Sequence, residues 1–352
     1  MTQSTNMEIG LFTFGDLTPD RQTGRTISAG QRLQEVLAAA KLADEAGFAV
    51  YGVGEHHRLD MAVSATPVVL AAIARETQRI RLASAVTILS TADPVKVFEN
   101  FATVDLLSGG RAEIIAGRGI FTESFPLFGY DLADQDALFA ENLDLLLKLN
   151  ASERVTWQGR FRSALNDAEI APRPLRGLMP IWIGIGGTPA SAERAGRLGL
   201  PLAMSNISLP PAKLAPVVEL YRRTGAEAGH ATANLTVAIT GHLHVAKNSQ
   251  DAREEFYPHY HDYFRTHSAH QYRVREVSRA DFDALAGPDG PLFVGSPQQI
   301  VDKILWEREL FGHQRFIAQN DIGGLPYDKV ARVIELLASD VMPALRKAAK
   351  VI

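Results

Sequence analysis

The sequence predicts an α/β fold, a (β/α)8 TIM barrel with insertions at the C-terminal face of its strands. Apolar, β-branched runs alternate with amphipathic helical stretches almost from end to end, the pattern of βα units around a parallel sheet. The runs number eight, the count of a closed barrel, and no linker divides them. Several of them also end in residues suited to chemistry: Glu55-His56-His57, Gly117-Arg118-Gly119 and Gly186-Gly187-Thr188. In a barrel that end is where binding residues gather.

Strands are expected at Met7 to Phe14, Ala49 to Glu55, Ile80 to Ile88, Arg111 to Gly117, Ile181 to Gly186, Leu200 to Ser205, Thr236 to Val245 and Arg315 to Asp321. The helices that follow are expected at Gln31 to Ala46, Pro67 to Gln78, Pro94 to Leu107, Asp134 to Leu149, Pro189 to Leu198, Pro211 to Ala228, Asp251 to Thr266 and Tyr327 to Ala349. Several open with proline in the first turn and the first closes at Gly47, as capping prefers. Two stretches interrupt the repeat. Val155 to Arg162 reads as a hairpin turning at Gly159, and Lys247 to Leu292 as a longer insert rich in Tyr and His. Phe293-Val294-Gly295 then leads into another helix start at Ser296-Pro297. A single domain, residues 1–352, is expected, with inserts near 151–175 and 247–292. The second would roof the open face.

The chain has 352 residues, enough to bury a large core, and no cysteine, which excludes disulfides and thiolate chemistry. Its apolar runs are too short to span a bilayer, and Met1 to Asn6 lacks an apolar signal core, so a cytoplasmic protein is expected. A net charge of −4 without basic blocks argues against nucleic acid or membrane as a partner. Pro67 to Ala74 is apolar on every side, so one face needs cover beyond the barrel. A homodimer would supply it.

His56 is the candidate acid or base, because imidazole titrates in the working range. Strand alternation turns Glu55 and His57 away from it, which disfavours a metal held by the adjacent imidazoles. His242-Leu243-His244 has the spacing of a barrel metal pair but no matched carboxylates, and no metal is expected. Thr188-Pro189-Ala190-Ser191 fits the N-cap to N3 positions of a helix, with Gly186 and Gly187 leaving backbone amides uncovered. Such a terminus attracts phosphate, and Arg118 at the end of a neighbouring strand adds a fork of donors. The glycine spacing matches neither a Rossmann fingerprint nor a P-loop. Phe256, Tyr260 and Tyr263 recur at helical spacing, which reads first as packing and second as a face that could close over a flat ring.

The residues resemble the bacterial luciferase-like flavin-dependent monooxygenase family over nearly the whole chain. Glu55-His56-His57, the run Arg81 to Pro94, Asp105 to Arg111, Gly117-Arg118-Gly119 and Leu198-Gly199-Leu200-Pro201 carry the likeness. The resemblance implies a barrel binding FMN, or the deazaflavin F420, at its C-terminal face. His56 then matches the imidazole beside the reactive flavin edge and Arg118 the phosphate-binding arginine, with Gly119 and Gly186 alongside. Gly187, Thr188 and Ser191 fall at phosphate-contact positions, and Gly117 stands where a luciferase places cysteine against the ring. Ala85 and Val86 match the pair that forms a non-prolyl cis peptide beneath the isoalloxazine. The long roof of the luciferase α chain has no clear counterpart. The implied activity is FMN-dependent oxygenation of a small organic substrate by O2, with reduced flavin from a separate NAD(P)H:flavin reductase, since no second nucleotide site is evident in the sequence. F420-dependent hydride transfer is the alternative on the same scaffold, and a non-catalytic flavin-binding barrel the alternative of another class.

Overall fold

Eight parallel strands close into a barrel in the computed structural model, which describes residues 7–21, 23–207, 209–268 and 276–348. They are β1 (Glu8–Thr13), β2 (Val50–Val53), β3 (Arg81–Ser84) with its continuation β4 (Thr87–Ile88), β5 (Ala112–Gly117), and, after the hairpin β6 (Arg154–Trp157) and β7 (Leu165–Glu169), β8 (Ile181–Ile185), β9 (Leu202–Ser205) and β10 (Val237–Val245). A short β11 (Phe293–Gly295) pairs with the upper half of β10, and β12 (Arg315–Gln319) lies between β10 and β1. Closure comes from β10, which pairs with β9 on one side and β12 on the other. The helices are α1 (Ala29–Glu45), α2 (Thr66–Glu76), α3 (Pro94–Ser108), α4 (Ser124–Phe128), α5 (Gln135–Ala151), α6 (Pro189–Arg197), α7 (Pro211–Glu227), α8 (Ser249–Ser268), α9 (Arg279–Leu285), α10 (Pro297–Phe311), α11 (Tyr327–Leu336) and α12 (Met342–Ala348). Among the described residues no helix is long and apolar enough to cross a membrane.

Local chemistry explains the boundaries. Asp93 caps α3 by accepting from Lys96 N, Pro94 fills the first turn, and Gly109 ends the helix at φ 72°. Ser296 and Gln299 form a capping box on α10. Four expectations are corrected. The run Ile80 to Ile88 is two short strands, because residues 85–86 leave the ladder. The strand expected through Glu55 stops at Val53, so Glu55, His56 and His57 stand on the loop above it. The turn expected at Gly159 spans residues 158–164, and the last helix is broken by a π turn, Leu337–Val341, with Ala349 outside the described residues.

Inside the barrel, Phe12, Val50, Ala83, Ile115, Trp182, Ala203, Ala238 and Ile317 form one apolar cluster contributed by all eight strands. Beneath it, at the N-terminal ends, Arg315 pairs with Glu113 (2.6 Å) and Glu8 (2.8 Å), and its guanidinium lies 4.4 Å from the Trp182 ring centroid. Arg81 completes this plug by pairing with Glu8 and Glu113. The lower mouth is thus filled with matched charge, and the upper mouth is left for a site.

The Lys247 to Leu292 insert comprises α8 and α9, with residues 269–275 outside the described residues. Phe256, Tyr260 and Tyr263 are buried against Val277, Phe282, Leu292 and Ile322, so the aromatic stripe is packing. Outside the barrel, Glu307 of α10 is fully buried, with Oε1 accepting from Asn206 Nδ2 at 2.9 Å. Burial pushes its carboxyl up to about 8, against the opposing field of Lys303 and the Asn206 hydrogen bond. A carboxyl with a raised folded pKa contributes stability that is complete below the ordinary carboxylate range and lost as pH rises through the folded value. Wild-type stability should therefore fall by up to a few kcal/mol between about pH 5 and pH 9 from this group alone. Glu307→Gln, which keeps the acceptor for Asn206, should flatten that slope in urea unfolding; an unchanged slope would contradict the buried neutral carboxyl.

Candidate active site

At the upper mouth β3 gives way to residues 85–86. Ser84 first binds β5 through its side chain, donating to Ile115 O (3.2 Å) and accepting from Ile115 N (2.9 Å). The Ala85–Val86 peptide is cis, and β4 then resumes pairing with β5. Glycines make room for this excursion. A Cβ on Gly54 would lie 2.9 Å from Ala85 O, one on Gly117 2.6 Å from Val86 Cγ2, and one on Gly184 2.8 Å from Val86 Cγ1. No side chain fits at these three positions without displacing residues 85–86.

His56 sits on the loop after β2, its N–H donating to Val63 O. The ring is 6% exposed and is held edge-to-face between Phe14 and Phe121, both centroids 4.8 Å away. Its Nδ1 faces Glu123 Oε1 at 3.7 Å, an ion-pair distance longer than a hydrogen bond. Burial pushes the Glu123 carboxyl up, but the His56 imidazole and the Arg58 guanidinium outweigh it and bring the pKa below the ordinary value. His57 turns away to Glu55 Oε1 (2.9 Å) and the Phe128 ring, the separation expected from alternation although both imidazoles stand on a loop. The two imidazoles do not share a site.

Across the mouth, Arg118 follows β5 and reaches two groups. Its Nη1 pairs with Asp136 of α5, and its Nη2 donates to Thr188 Oγ1 at 3.3 Å. Thr188 starts α6 in the extended N-cap conformation, but its hydroxyl does not cap the helix as expected, because Arg118 claims it. Gly186 is open, with nothing within 4 Å of where a Cβ would stand, and Gly187 turns at φ 96°. Ser191 is buried in the first turn, its N–H directed to Thr188 O. Gly119, also at positive φ, comes within 2.8 Å of Ile88 Cγ2 at its would-be Cβ, and Gln135 Nε2 binds its carbonyl. The structure thus gathers Arg118, Thr188 and the Gly186-Gly187 turn at one side of the mouth, residues 85–86 and Gly117 in the middle, and His56 at the other side.

Several side chains at these positions were not marked in the sequence. Glu123, Asp136, Phe14 and Phe121 belong to different segments and meet only in the fold. Arg194 had a signal: it lies three residues after Ser191, on the same face of α6. Its guanidinium stacks on Phe139 at 5.3 Å, within the fields of both Asp136 and Arg118. His242 and His244 are both buried; His244 stacks on Phe256, and Tyr260 and Tyr263 pack edge-on to His242. Among the described residues, no group of three His, Cys, Asp or Glu side chains could hold a metal ion.

Comparison with known proteins gives this arrangement a context. An alkanal monooxygenase alpha chain from Photorhabdus luminescens is 24% identical over 342 residues, covering 90% of this chain and 92% of its own. Limonene 1,2-monooxygenase from Rhodococcus erythropolis is 29% identical over 216 residues, 60% of this chain and 55% of its own. The crystal structure of monooxygenase RslO1 from Streptomyces bottropensis superposes with a TM-score of 0.84 at 27% identity, covering 96% of this chain and 99% of that one. The oxygenating constituent of 3,6-diketocamphane monooxygenase from Pseudomonas putida, solved with FMN, shares the fold at 19% identity and a TM-score of 0.75, covering 96% and 98%. Residues 7–314 match the luciferase-like monooxygenase family, and with its closed barrel and this mouth the chain is an enzyme belonging to that family.

Proposed function

We propose that this enzyme is an FMN-dependent monooxygenase that acts with O2 on a small organic substrate and draws reduced flavin from a separate NAD(P)H:flavin reductase. The observation that carries the reading is an anion cradle beside the excursion at residues 85–86: Arg118, Thr188 and the open Gly186-Gly187 turn on one side, residues 85–86 bedded on glycines beside it. A phosphate suits the first and a planar ring the second. The named monooxygenases among the relatives and the FMN complex of a protein with this fold support it. F420-dependent hydride transfer is the second reading, because an F420-dependent secondary alcohol dehydrogenase also shares the fold, at 18% identity and a TM-score of 0.73.

Reduced flavin, when bound, supplies the activation of dioxygen. The protein's part is to bind, orient and keep dry. Arg118 would leave Asp136 for the phosphate, with the N-terminal amides of α6 and the Thr188 and Ser191 hydroxyls around it. Phe14 and Phe121 shield the His56 ring from water, and the Glu123 carboxylate lies on its Nδ1 side. His56 is thereby placed to hold or deliver a proton at the inner edge of the mouth.

The spectrum of the chromophore released from purified protein separates FMN from F420, and F420 alone would overturn the first reading. Arg118→Ala should weaken FMN by about 1.5–3 kcal/mol while leaving riboflavin, which lacks the phosphate, nearly untouched; equal losses would refute the cradle. His56→Gln should cut turnover by about 100-fold or more with flavin still bound, in single-turnover kinetics against equilibrium titration. Homodimerisation through α2 is also proposed, because Val68 on that helix is 69% exposed. Val68→Glu should yield monomers in sedimentation velocity, and a wild-type monomer at micromolar concentration would exclude the pairing.

A further inference from the structure

The inner wall of the barrel changes character on the side of β10 and β12. Arg315 and Ile317 point inward, so Gln319, two residues on, does the same at the last position of β12. Ala238 points inward on β10, and His242, four residues on, follows it. The ladder sets His242 directly beside Gln319, and Gln319 beside Phe12 on β1. The apolar interior therefore gives way above Ala238 and Ile317 to Thr240 and then His242 on β10 and to Gln319 on β12, so that a primary amide and an imidazole lie side by side beneath Tyr260 and Tyr263 of α8.

Both are fully buried, at 0% and 1% exposure. Neither Nε2 nor Oε1 of Gln319 has a hydrogen-bond partner, and neither has Nδ1 of His242; the amide leans toward the ring without reaching bonding geometry. Burying such groups unpaired costs about 1–3 kcal/mol each, so their retention on this wall calls for a ligand that pairs with them. The chemistry of that ligand is constrained. The nearby cation, Arg32, is committed to Asp321 at 2.8 Å and Asp16 at 3.8 Å. Burial lowers the His242 pKa to about 4, so the imidazole is neutral at working pH. An anion would find no uncommitted counter-charge here, since Arg32 is shared by the carboxylates of Asp16 and Asp321. Neutral donors and acceptors remain.

We infer that Gln319 and His242 form a subsite for an uncharged carbonyl-bearing organic molecule, whose oxygen accepts hydrogen bonds from the amide and the imidazole. The assignment rests on the flavin reading only for what happens to the molecule afterwards. Strands β12, β1 and β2 are consecutive in the barrel and Gln319 is in register with Phe12 and Gly52, so His56, four residues beyond Gly52, stands roughly 15 Å from Gln319, across two strands and higher along the mouth. A small molecule anchored at Gln319 would extend past Phe12 and Phe14 toward His56.

Cyclohexanone and methylenecyclohexane, which replaces the oxygen by CH2 on the same ring, test this by saturation-transfer NMR with and without FMN. Wild-type protein should favour the ketone by at least about tenfold. Gln319→Leu should abolish most of that preference, and His242→Phe, an independent change of similar shape, should reduce it. FMN affinity should stay within about twofold in both variants, which also reports an intact barrel. A wild-type protein that binds both probes alike, or neither, would overturn the subsite, as would variants that keep the preference. The two readings fail separately: FMN binding without ketone preference removes the subsite alone, whereas ketone preference without any FMN binding removes the flavin assignment alone.

Discussion

The steric clearance around residues 85–86 is the constraint on which the site depends. Gly54 on the β2 side, Gly117 at the end of β5 and Gly184 in β8 each give up a side chain at the height where Ala85 and Val86 leave the β3 ladder. A Cβ at any of them would overlap with the excursion by several tenths of an ångström or more, which a close-packed interior does not absorb. The same omissions seat residues 85–86 in the floor of the mouth. Stability and site shape are consequently set by one group of residues, and the Ser84 bonds to Ile115 keep the barrel joined where the regular ladder is interrupted.

Charge is segregated along the barrel axis. At the closed end Glu8, Arg81, Glu113 and Arg315 satisfy one another, and Arg315 also covers Trp182. Such a buried network contributes little net energy over an apolar plug, but removing one member strands another in low dielectric. At the open end Arg118 is 28% exposed, and its partner Asp136 is 70% exposed. An exposed pair of this kind is weak, so Arg118 can exchange the carboxylate for a phosphate at small cost. The buried pairs hold the scaffold and the exposed pair remains exchangeable.

Between these ends the upper wall divides by function. The β5–β8 side carries the cradle, the β1–β2 side carries His56 in its aromatic clamp, and the β10–β12 side carries neutral polar groups under the aromatic packing of α8. The insert thus contributes by burying His242 and His244, which makes their imidazoles weak bases. That burial leaves His56 as the imidazole proposed for proton chemistry.

By itself the sequence determined what depends on short-range periodicity and on residue types that tolerate only one environment. Eight β-branched runs between amphipathic helices specify the barrel, and Gly186 to Ser191 specify a helix start with bare amides. The separation of His56 from His57 was expected from alternation, although the loop after β2 is what achieves it, and the cis pair at Ala85–Val86 was expected from a family pattern. Tertiary structure alone decided the partners. Glu123 reaches His56 from the residue before α4, Asp136 reaches Arg118 from the first turn of α5, and Gln319 meets His242 because β12 lies between β10 and β1. None of these pairs shares a local spacing, since the partners are at least 18 residues apart and two of the three pairs join different βα units. The break in the last helix was also hidden, and the one in β3 was marked only by the family pattern at Ala85–Val86, because neither shows in the propensities of the residues that break. Local order is written in sequence period, whereas the contacts that tune a charge or a proton depend on barrel closure.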